Sequence, residues 1–128
     1  MFKSGAAASA AETTITVTDN QSTLSDITGL SIDGSIHAMK RILYSIYRTD
    51  ASSDHRRESG ILTLQYNQGS TTYTIGRNSN GDDALNNGAD SIDINSSTGQ
   101  VQYKSDSMGG TYTGKLTFEL IASIKIEA

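Results

Sequence analysis

Apolar and polar residues alternate with a period of two over most of the chain beyond residue 12. This is the signature of strands with one buried and one wet face. The C-terminal run GKLTFELIASIKIEA shows it most clearly. Leu116, Phe118, Leu120, Ala122, Ile124 and Ile126 fall on one face, and Thr117, Glu119, Ser123 and Lys125 on the other, with Ile121 as the exception. Thr14, Ile15, Thr16 and Val17 are β-branched throughout, which favours a strand. Leu62, Leu64 and Tyr66 alternate with Ile61, Thr63 and Gln65, and shorter alternations surround Tyr73, Ile92 and Val101. Turn signals stand between the runs: Asp33-Gly34, Gln68-Gly69, Asn80-Gly81, Asn87-Gly88, Thr98-Gly99 and Gly109-Gly110. The stretch SIDINSSTGQVQY predicts a tight hairpin turning near Ser97 to Gly99. A single helical turn is predicted at SDITGL, capped by Ser25 and ended by Gly29. The pattern predicts an all-β domain over residues 13–128, an antiparallel β-sandwich or jelly roll of about eight strands. A short flexible N-terminal arm over residues 1–12 precedes it.

The strand from Ile36 to Arg48 departs from simple alternation. Ala38, Ile42, Tyr44 and Ile46 make the expected core face, but Met39, Leu43 and Tyr47 make the second face apolar too. Such a strand needs cover on both sides, from another part of this chain or from another subunit. Met39, Leu43 and Tyr47 are therefore candidate partner-binding residues. Three subunits around an axis could share the stripe, so a homotrimer is expected. The same strand opens the hairpin ILYSIYRTDASSDHRRESGILTLQY, whose tip DASSDHRRES holds the densest charge in the chain. Alternating signs suit a solvated, projecting turn. Alternatively, Arg56 and Arg57 pair with carboxylates of a neighbouring subunit, as guanidinium groups do well.

Composition narrows the classes. A chain of 128 residues makes one domain. Proline is absent and glycine numbers 12, so turns rest on Gly, Asn, Asp and Ser. With no cysteine there is no disulfide or thiolate zinc site. Ten Lys and Arg against 14 Asp and Glu give a net charge of −4, which speaks against direct nucleic-acid binding. No apolar run approaches the roughly 20 residues that span a bilayer, and no membrane partner is expected. The opening MFKSGAAASAAE imitates a leader, with Lys3 before an Ala stretch and Ala8-Ser9-Ala10 shaped like a cleavage site. Its apolar core of about four residues is too short for one, so an arm is the better reading.

Chemistry finds little footing. There is no G-x-S-x-G nucleophile motif and no phosphate-cradling G-x-x-x-x-G-K-[ST]. His37 and His55 lack metal-binding spacing. Asp82-Asp83 lies in the loop from Asn78 to Asp90, whose Asn, Asp and Gly could present oxygens to a cation, but the EF-hand spacing is missing. A solvated turn is preferred there. No enzymatic activity, catalytic residue, metal site or cofactor is expected.

The segments ITGLSIDGSIHAMKRILYSIYRTD, RRESGILTLQYN, GDDA and STGQVQYKSDSMGGTYTGKLTFEL follow one another in a familiar order. They resemble a β-sandwich module of tailed-bacteriophage virion proteins that runs roughly GL-x-(I/F)-DG, Y-S-I-Y-R, G-x-L-x-L-x-Y, GDDAG, (T/S)-G-Q-V-Q-Y and Y-x-G-K-L-x-F. The match covers about residues 27 to 120 and departs at GDDALNNGAD, where the glycine after GDDA is missing. The resemblance implies a structural virion protein on the capsid or tail surface, made in the host cytoplasm. Its implied partners are copies of itself and the major capsid protein or other virion proteins. The start at Met1 leads us to expect a free-standing accessory, a capsid decoration (cement) protein. The alternative is a tail or head fibre module that binds a host receptor or glycan. Against it, the chain has no Trp and most of its six tyrosines alternate into core positions.

Overall fold

The alternation becomes eight β-strands in the computed structural model, which describes residues 11–81 and 91–127. In chain order they are β1 (Thr13–Thr16), β2 (Ser25–Ser31), β3 (His37–Thr49), β4 (His55–Asn67), β5 (Thr72–Gly81), β6 (Ser91–Ile94), β7 (Gln100–Lys104) and β8 (Thr113–Lys125). Five strands form one sheet in the order β1-β8-β3-β4-β5, and three form a second in the order β2-β7-β6. Every pairing is antiparallel. The inward faces bury Ile42, Tyr44, Ile46, Leu62, Leu64, Leu116 and Phe118 from the large sheet. From the small sheet and its connections they bury Val17, Ile27, Leu30, Ile32, Ile92, Val101 and Tyr103. This is the expected antiparallel β-sandwich. Of the arm expected over residues 1–12, all but Ala11 and Glu12 lies outside the described residues, as do Asp82-Asp83 and Asn87-Gly88.

Four local expectations need correction. SDITGL is strand β2, not a helical turn. Its register against β7 is interrupted between Asp26 and Ser31, so Ile27 and Leu30, three residues apart, both turn inward. Gly29 takes φ +87° to permit this, and Gln100 Nε2 donates to the carbonyls of Ile27 and Leu30 at 3.0 and 3.1 Å. Asn80-Gly81 ends strand β5 rather than making a turn.

The third correction is at β8. Ile42 pairs with Leu120 but Arg41 pairs with Ala122, so Ile121 is an extra residue in the ladder. A one-residue slip moves every later side chain to the other face. Leu116 and Phe118 are therefore buried inward and Leu120, on their side of the strand, stays exposed at the sheet end, while Ala122 and Ile124 share the outer face with Arg41 and Met39.

The β3–β4 hairpin is in regular register from Met39↔Gln65 to Thr49↔His55. His55, Arg56, Arg57 and Glu58 are strand residues, and the expected ten-residue tip shrinks to the turn at Asp50–Asp54. One carboxylate oxygen of Asp50 accepts the backbone N–H groups of Ser52, Ser53 and Asp54 at 2.9, 3.1 and 3.1 Å. Those bonds, first of all from Ser52 and Asp54, hold the Asp50 carboxyl below its ordinary pKa.

Candidate interaction face and the ion-pair frame behind it

Arg48 follows Ile42, Tyr44 and Ile46 on the inward face of β3 and is fully buried. A buried guanidinium must be paired to be tolerated. Its Nη1 donates to Asp106 Oδ1 at 2.8 Å and its Nη2 to the Asp106 carbonyl at 2.7 Å and to Asp19 at 3.3 Å. Its Nε donates to the Tyr112 hydroxyl at 2.9 Å, and that hydroxyl donates to the Val17 carbonyl at 2.6 Å. Burial opposes the charge, but the bonds to Asp106 and Tyr112 outweigh it and hold the Arg48 pKa above its ordinary value. Asp19 also accepts the Met108 and Gly109 N–H groups at 2.7 and 3.1 Å. One side chain thus ties β3 to the segments after β1 and before β8.

Arg56, opposite Arg48 in the register, completes the frame. Its Nη1 donates to both oxygens of Asp106 at 3.0 and 2.9 Å, and its Nε and Nη2 bond Asp54 at 3.3 and 3.0 Å. Sequence suggested a pairing across subunits for Arg56, yet its fork is engaged within its own chain. Farther along β4, buried Glu58 accepts Nε and Nη2 of Arg77 at 2.9 and 2.6 Å and the Tyr44 hydroxyl. Burial, then the bond to Glu58, raises the Tyr44 pKa, which keeps the phenol a donor. Arg77, Asp19 and Asp106 were not singled out from sequence, and Glu58 was read only as part of the charged tip. The parity of Glu58 with Leu62 and Leu64, and of Arg48 with Ile46, was the available signal.

Met39, Leu43 and Tyr47 lie together on the outer face of the five-stranded sheet, and no described element covers them. The face is built in rows. Lys115, Tyr47 and Arg57 form one row across β8, β3 and β4; Thr117, Ser45 and Ser59 form the next; Glu119, Leu43 and Ile61 form the third. In the first row the Arg57 guanidinium lies 4.6 Å from the centre of the Tyr47 ring, and the His55 ring stacks beside that tyrosine at 6.5 Å. A groove of about 200 Å³ crosses the second and third rows, lined by Glu12, Leu43, Ser45, Ser59, Thr117 and Glu119. Leu43 is 43% exposed, and Ile124, beyond the bulge, 59%. Of the five residues singled out from sequence, the structure brings Met39, Leu43, Tyr47 and Arg57 to this face and sends Arg56 to the frame. Lys115 and Glu119 complete the face and were missed, although both were legible as charges on the wet side of β8.

The fold defines an antiparallel β-sandwich whose five-stranded sheet has an outer face that no described element covers. No family model and no curated protein matches the chain. Among solved structures it is similar to part of the tailspike protein of Acinetobacter phage vB_ApiP_P1. The TM-score is 0.50 and the identity 17%, and the match covers 90% of this chain and 22% of that one. At that identity the likeness shows the fold.

Proposed function

We propose that the protein is a structural, non-enzymatic part of a tailed-bacteriophage virion, a rigid body that works through contacts made by its open sheet face. The observation that carries this reading is the likeness to a phage tailspike across 90% of the chain, joined to the order of virion-module motifs over residues 27 to 120. Its ionisable groups on the inward side support a structural role, since Arg48 and Arg56 share Asp106 and Glu58 is bonded to Arg77. We favour a tail or fibre position, which the tailspike likeness supports. Capsid decoration rests on the sequence resemblance alone. The partners are other virion proteins and further copies of this chain.

Quantitative mass spectrometry of gradient-purified particles tests the reading. The chain should be present at a fixed copy number and should follow tails when tails and heads are separated. Its absence from particles, with all of it in the soluble lysate, would refute a virion role. Recovery with tail-free heads would reverse the placement.

A further inference from the structure

The outer sheet face carries opposite charges at equal steps from a central row of small residues. On β8, Lys115 lies one row to one side of Thr117 and Glu119 one row to the other. On β3, Tyr47 and Leu43 flank Ser45 in the same way, the first a half-buried ring with the Arg57 guanidinium over it and the second part of the groove wall. Lys115 is exposed and bonds Thr16 Oγ1 at 3.3 Å, and neither it nor Glu119 has an ion-pair partner among the described residues.

We propose that this face is self-complementary and pairs two copies of the chain about a two-fold axis along the Thr117–Ser45–Ser59 row. Rotation about that axis keeps each strand over its own counterpart and reverses its direction. The row one step above the axis then meets the row one step below it, each step being about 7 Å along a strand. Lys115 of each copy faces Glu119 of the other. Tyr47 of each copy rests on Leu43 of the other and fills the groove there, while Arg57 stays on its own tyrosine and covers Ile61 across the interface. Glu12, at the groove edge, meets the β1 column near Thr16 rather than another acid. The central Ser and Thr side chains let two sheets approach to the usual spacing of about 10 Å.

A three-fold assembly joins two different patches, whereas a two-fold joins one patch to itself. Opposite charges mirrored about one row are what the two-fold requires. The inference therefore replaces the trimer expected from the apolar stripe with a dimer. It stands on the sheet alone and would survive failure of the virion reading.

Sedimentation equilibrium of the full chain tests it. The wild type should fit twice the 13.6 kDa chain mass in a concentration-dependent equilibrium. Lys115→Glu sets two like-charge contacts in place of two ion pairs and should weaken the dimer about tenfold or more. Glu119→Lys should do the same. The double variant Lys115→Glu/Glu119→Lys restores both pairs with their signs exchanged and should return within about threefold of wild type. Circular dichroism should be unchanged in all three, because the exchanged side chains lie on the outer face. A wild-type monomer or trimer at about 100 μM, well above the micromolar range expected of a specific contact, overturns the proposal. So does a double variant as weak as the single ones.

Discussion

Arg48 stands where a fourth apolar side chain would continue the inward row of Ile42, Tyr44 and Ile46, and it is buried as completely as they are. Its position was legible in the alternation. Its partners were not, because Asp19 and Asp106 lie 29 and 58 residues away in sequence. Only the folded topology brings them within bonding distance. Removing Arg48 takes a donor from Asp106, Asp19 and the Tyr112 hydroxyl at once and empties the space of a fully buried side chain, although Arg56 still pairs Asp106. Arg48→Ala should therefore cost about 3–5 kcal/mol of folding stability, read from the midpoint of urea unfolding. A loss under about 1 kcal/mol, the worth of an exposed pair, would show that the frame is solvated in solution. Arg56 and Arg57 make the complementary point. Adjacent in sequence, they face opposite sides of β4, so one serves the frame and the other the outer face.

At the scale of elements, β4 depends on Gly60. It pairs with Tyr44 on one side and Ser79 on the other. A Cβ there would sit 2.1 Å from the Asn78 carbonyl oxygen and 2.8 Å from the Ser79 Cα, both fixed backbone atoms. Gly60→Ala should push β5 away from β4 and cost about 1–3 kcal/mol. Faster hydrogen exchange of β5 amides would report it, and unchanged exchange with an unchanged melting temperature would contradict it. The strands themselves were readable because side chains alternate faithfully wherever the ladder is regular. Reading failed where a ladder slips. The extra residue at Ile121 and the interruption in β2 change face without changing composition. The charged tip was overestimated for a related reason: His55 to Glu58 are polar, yet strand pairing with β3 holds them.

For the whole molecule, alternation and turn signals were enough for a β-sandwich, since one apolar face per strand admits few other packings. They could not tell whether anything covers the second apolar face of β3. Burial of a second apolar face is settled by what else the chain, or another chain, lays across it. The structure leaves Met39, Leu43 and Tyr47 uncovered by any described element, and that open face is what the proposed virion role uses. A three-dimensional reconstruction of the intact particle tests this most directly. The account predicts density for this domain on the particle with the outer face of its five-stranded sheet, at Leu43, Tyr47, Lys115 and Glu119, pressed against another protein surface. Density that shows this face open to solvent while the three-stranded sheet makes the contacts would contradict it.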